Sequence, residues 1–182
     1  WNGLTATDVT IRGDIRVDPF ESLTVGPAVV FDDPVMLGRA NSSGPATLNL
    51  LDSVVLDADV VLDRSHAATI AGPSDAGERA MTGAASVVTG SGVLAGRLDI
   101  GGLVRTGVGE QLRFSVPDGM ITGGGVLEQI GGDVVWGGLT ATDITLRGQI
   151  VIDAFEALVI GTGVVFDGSV SLGAAGSSGP GT

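Results

Sequence analysis

His66 is the only histidine among 182 residues, and it stands in the run Asp63-Arg64-Ser65-His66, which puts an acid, a hydroxyl nucleophile and a base within four residues. These are the side-chain types of a hydrolytic triad. A working triad converges from separate elements, however, and neighbours on one corner point apart. The run therefore reads as a solvent-exposed turn. Carboxylates are the next candidates, paired at Asp32/Asp33 and Asp57/Asp59, and Asp far outnumbers Glu among the 21 acidic residues. Calcium is held by such carboxylates together with backbone carbonyls. No D-x-D-x-D-G loop occurs, and the segment 131–143 lacks the order and spacing of the glycine-rich calcium nonapeptide. The expectation is no cofactor and at most a weak association with calcium. Gly90, Gly92 and Gly96 suggest a phosphate-cradling loop, but the sequence runs on into another strand where the fingerprint demands a helix. Thr5/Thr7 and Thr140/Thr142 suggest an ice-binding ladder, without matching pairs in the sequence between them. Cysteine chemistry is excluded because the chain has none.

No constellation here is a catalytic set, so the elements that would position one decide more. Hydrophobic residues make up 43% of the chain and aromatic residues only 4%, with 31 glycines and a mean hydropathy of +0.43. The apolar material is thus mostly Val, Leu, Ile and Ala, which suits thin short strands better than bulky helices. All 9 basic residues are Arg, and the formal net charge is -12. Phosphate neutralisation needs a basic face, so nucleic acid is excluded as a partner, and an anionic membrane surface is disfavoured on the same ground. No apolar run reaches the ~20 residues that span a bilayer. The chain opens on Trp1, which reads as a processed form or a piece of something longer.

An internal repeat dominates the organisation. Residues 1–47 recur as residues 136–182 with no gap, and 29 of the 47 positions are identical. The unit is therefore 135 residues long, with residues 1–135 forming one complete unit and residues 136–182 the start of a second stacked on the first. Trp1/Trp136, Arg12/Arg147, Phe20/Phe155, Glu21/Glu156 and Phe31/Phe166 are all retained between the copies. We read them as unit-packing residues, with Trp136 filling the joint and an Arg12–Glu21 pair bracing a protruding turn.

Within the unit, segments of four or five residues alternate apolar and polar positions and end on Gly or Asp, among them DIRVD at 14–18, SLTVG at 22–26 and DVVLDR at 59–64. Period two marks strands with one buried face, and single-residue corners fit a chain turning between the faces of a coil better than antiparallel hairpins. Residues 74–88 alone carry helix-forming content and read as a short helix or irregular excursion outside the coil, while 37–46 is a Ser-, Gly- and Pro-rich loop.

The stretch GDIRVDPFESLTVGPAVVFDDPVML, with its short apolar strands and Gly or Asp corners, resembles the rungs of right-handed parallel β-helices in exported bacterial surface proteins. The resemblance implies an all-β, single-stranded parallel solenoid of about 20 residues per coil, extracellular or at the cell surface, of the adhesin, autotransporter-passenger or filament kind. It also implies a non-catalytic role, with end-to-end self-association with further units as the main partner interaction and a host surface or glycan as an outside ligand. The alternative is a β-helix module that binds or cleaves glycans, since the polysaccharide-cleaving enzymes of that fold use clustered Asp. Against it, Asp33 becomes Gly168 in the second copy, and no Lys is present.

Overall fold

The computed structural model describes residues 1–63 and 67–173. It is an all-parallel β-solenoid of about 8 turns with no helix among the described residues. The first coil is β1 (Leu4–Ala6), β2 (Thr10–Ile11) and β3 (Ile15–Val17), and the second is β4 (Ser22–Val25), β5 (Val30–Phe31) and β6 (Val35–Leu37). The third holds β7 (Ala46–Leu50), β8 (Val55–Leu56) and β9 (Val60–Leu62), and the fourth β10 (Ala68–Ala71), β11 (Ala80–Thr82) and β12 (Val87–Gly90). Next come β13 (Gly92–Ala95), β14 (Leu98–Ile100) and β15 (Leu103–Thr106), followed by β16 (Gln111–Ser115), β17 (Met120–Ile121) and β18 (Val126–Gln129). The chain ends with β19 (Asp133–Val135), β20 (Leu139–Ala141), β21 (Thr145–Ile152), β22 (Leu158–Ile160) and β23 (Val165–Leu172).

Three faces result. The first strands of the coils, β1 to β19, stack as a seven-stranded sheet, and the third strands, from β3 to β23, stack as an eight-stranded one. The middle strands form three shorter sheets, β2–β5, β8–β11–β14 and β17–β20–β22. β21 turns a corner at Gly148, where φ is +91°, so that 145–148 pair with β18 while 150–152 lie against β19.

The period-two alternation explains why the coil closes on itself. Every second residue points inward and stacks on its counterpart one coil away, so the interior consists of aliphatic columns. One column runs Ile15, Val35, Val60, Val88, Val104, Leu127, Leu146, Phe166, and another runs Leu4, Leu23, Leu48, Ile70, Leu94, Phe114. The members away from the ends are almost fully buried. At about 1.5–3 kcal/mol for each buried Leu, Ile or Val, these columns dominate the stability of the rod. Corner aspartates add cross-coil bonds: the Asp33 carboxylate accepts from Gly13 N–H at 2.8 Å, Asp52 from Arg79 N–H at 3.1 Å and Asp59 from Val87 N–H at 2.9 Å.

The short helix expected at 74–88 is not formed, and the irregular excursion is confined to 72–79, between β10 and β11. Residues 75–77 bend and turn, and β11 and β12 take the rest into the coil, because Ala80, Thr82 and Val88 are needed inside columns that neighbouring coils already define. Tertiary stacking overrides the local helix preference.

Candidate functional site

Ser65 and His66 lie outside the described residues. Their neighbour Asp63 is engaged elsewhere, with a carboxylate oxygen 3.5 Å from an Arg16 guanidinium nitrogen two coils away. The paired carboxylates border an open cleft lined by Phe31, Asp32, Asp33, Asp57, Ala58, Asp59 and Ser86. Three of its four acids already have partners within the coil: Asp32 receives the Arg12 Nε–H at 2.6 Å, and Asp33 and Asp59 cap backbone N–H groups. Such acids close corners. Among the described residues, no group of three or more His, Asp or Glu stands close enough together to hold a metal ion.

The repeated residues fall into three local groups, built the same way in both copies. The first is an aromatic knuckle. Trp1 sits just before β1 and donates its indole N–H to the carbonyl of Arg16, and Trp136 donates to Val151 O at 2.8 Å. Opposite, the Glu of the Asp-x-Phe-Glu turn reaches back to its own Asp: Glu21 accepts from Asp18 N–H at 3.1 Å and Glu156 from Asp153 N–H at 3.2 Å. Between Asp and Glu stands a phenylalanine, Phe20 or Phe155, each with φ of +68° and each almost wholly exposed, at 77% and 83%. A non-glycine residue in the left-handed region costs about 1–2 kcal/mol, so this turn holds a bulky apolar side chain outward against a conformational penalty.

The second group is an ion pair. Arg12 bonds Asp32 and Arg147 bonds Asp167 at 3.0 Å, in each case 20 residues on and one coil away. The expected Arg12–Glu21 pair is therefore not formed. The physical reason is register, since a side chain leaving a corner meets the corner stacked directly above it, whereas Glu21 is committed to the knuckle. In the second copy the pair extends backwards: Glu128, one coil earlier in the same outward column, takes the Arg105 Nε–H and lies 3.8 Å from Arg147. Arg105, Glu128, Arg147 and Asp167 thus alternate in sign along the rod, which satisfies a nearly buried Glu128 that would otherwise be costly. A separate network joins Arg79 to Asp99 and Asp118, and Arg97 to Asp118. The Arg79 guanidinium is held above its usual range by its hydrogen bond to Asp99, against the opposing effect of burial.

The third group, Phe31 and Phe166, faces inward. Phe31 is buried, and Phe166, in the last described coil, is 42% exposed.

The coil beneath distinguishes the two copies. Leu4 is 50% exposed and its equivalent Leu139 4%, Val9 41% and Ile144 2%, and Trp136 is fully buried while Trp1 is not. Residues 112–135 provide that cover, through β17 under β20 and β18 under β21. Gln129 stitches the junction, its side chain accepting from Val151 N–H at 3.1 Å and donating to Gly132 O at 2.9 Å. Glu128, Gln129 and the Asp32/Asp167 partners escaped the sequence reading. The recurrence of Arg and Asp at a 20-residue, one-coil spacing is the signal that could have found the last of these.

Comparison with known protein families, with curated proteins and with solved structures returns no match for this chain.

Proposed function

We propose that the chain is a non-catalytic structural solenoid, a stretch of a rod built from stacked 135-residue units, that serves outside the cell or at its surface as an adhesin stalk, sheath or filament. One observation carries this reading: the second copy grows out of the first with no break in the parallel sheet, β18 pairing directly with β21 and β17 with β20. The surface of the first coil that lies open is the one that, in the second copy, residues 112–135 cover. A unit so built accepts another on its end, and self-association through further units is its principal interaction. The net charge of -12, set largely by corner Asp, keeps a rod with open strand edges soluble and works against unregulated edge pairing.

The competing reading, a glycan-cleaving module, has only the cleft at Asp32, Asp33, Asp57 and Asp59 to stand on, and three of those acids hold the coil together. Two measurements on the purified chain separate the readings. Light scattering over rising concentration is expected to show end-to-end association, and incubation with polygalacturonate and neutral glycans is expected to release no shorter products. A strictly monomeric profile at high concentration, or turnover of a polysaccharide, would sink the proposal.

A further inference from the structure

The two copies fold alike but do not lie on the same faces. In the first copy β1 belongs to the first face, β2 to the middle face and β3 to the third. The equivalent residues of the second copy are each displaced by one face. β20 carries the counterpart of β1 and pairs with β17 on the middle face. Thr145 and Leu146, counterparts of Thr10 and Ile11, pair with β18 on the third face, and 150–152, counterparts of β3, lie against β19 on the first. The interior columns record the same shift, since Leu146 continues the column begun by Ile15, whose own counterpart is Ile150. Six coils separate β1 from β19 on the same face, and β20 follows one strand later.

We infer that the 135-residue unit winds six and one-third turns, so that successive units present the same surface residues on the three faces in rotation, a third of a turn and about 30 Å apart along the axis. The extension beyond this chain rests on the tandem-rod reading; the shift between residues 1–38 and 136–173 does not. The consequence concerns the exposed knuckle. Phe20 stands at the corner between the third and first faces, Phe155 at the corner between the first and middle faces. A third unit would place its Phe at the remaining corner, and a fourth would return to the start. A partner that grips the knuckle therefore finds it on every side of the rod, and no single face gathers the repeated aromatic residues into a continuous sticky stripe.

The absence of cysteine makes the phase directly readable by paired cysteines. Met120 and Thr140 are outward-facing, half-buried register partners, as are Val126 and Thr145. Met120→Cys/Thr140→Cys and Val126→Cys/Thr145→Cys are expected to close to disulfides under mild oxidation. Met120→Cys/Thr145→Cys, the pair that a unit of six whole turns would bring together, is expected to close at least ten-fold less. Far-UV circular dichroism of each reduced variant reports that the coil is intact. Closure of Met120→Cys/Thr145→Cys in place of Met120→Cys/Thr140→Cys overturns the inference, and so does failure of all three pairs in folded protein. Neither result bears on whether units stack into rods, which particle length reads independently.

Discussion

In the second knuckle the Glu156 carboxylate accepts from Asp153 N–H. Burial, aided by the charges of Asp133 and Asp153, pushes the Glu156 carboxyl above the usual carboxylate range, against the backbone N–H groups of Asp153 and Trp136. A raised carboxyl in the folded state means that folding favours its protonated form, so its contribution to stability is present below the ordinary pKa and is lost as pH rises through the raised one. Glu156→Gln keeps an oxygen to accept from Asp153 N–H and removes the charge. It should therefore raise the thermal midpoint at pH 7 and leave it unchanged near pH 3, where the carboxyl is protonated in both states. Solvent screening at this partly exposed site limits the gain to roughly half a kcal/mol. Equal midpoints for variant and parent at both pH values would contradict the assignment. The knuckle itself was legible in the sequence only as a set of retained residues. Trp, Phe and Glu could be seen to matter, but which of them touch depends on a turn with positive φ that residue types other than glycine rarely announce.

At the scale of the strand and its corner, glycine decides which coils can stack. Gly13 and Gly148 are equivalent, with φ of +88° and +91°, and both are left-handed for the same local reason. Their surroundings differ: a Cβ on Gly13 meets nothing within 4 Å, whereas one on Gly148 falls 2.2 Å from the carbonyl oxygen of Gln129. Gly13→Ala is expected to cost about 1 kcal/mol, the conformational penalty alone, and Gly148→Ala about 3 kcal/mol, because backbone must also move. Urea denaturation of the two variants measures the difference, and equal losses would show that the junction is looser than described. The elements were read from sequence where period-two alternation and Gly or Asp corners coincide, as in β3, β4, β9 and β10. They were missed where the local signal points elsewhere. β11 and β12 lie in a segment with helix-forming composition, and β17 and β19 are two or three residues long in glycine-rich sequence, so only the neighbouring coils define them. Pairing partners are harder to read: the Arg12–Asp32 bond follows from a one-coil spacing of 20 residues, and coil length varies along the chain.

The molecule as a whole is the repeat made physical. The 135-residue period, read directly from sequence, fixes how much chain a unit takes, and the parallel stacking converts that length into a rise along the axis. The fractional turn was beyond reach of the sequence, because coils of unequal length hide how many fit within one period; it emerges only when equivalent strands are found on different faces. Each coil pairs its strands only with those of the adjacent coils, and side-chain ion pairs reach at most one coil further, so the energetics are close to those of a one-dimensional stack and added units should extend the rod without altering it. The most direct measurement is electron microscopy of chains carrying one, two and three tandem 135-residue units. Straight particles of constant width that lengthen by about 30 Å per unit are predicted from the spacing of stacked strands. Particles that stay compact, or units joined by flexible gaps with no fixed increment, would contradict the account.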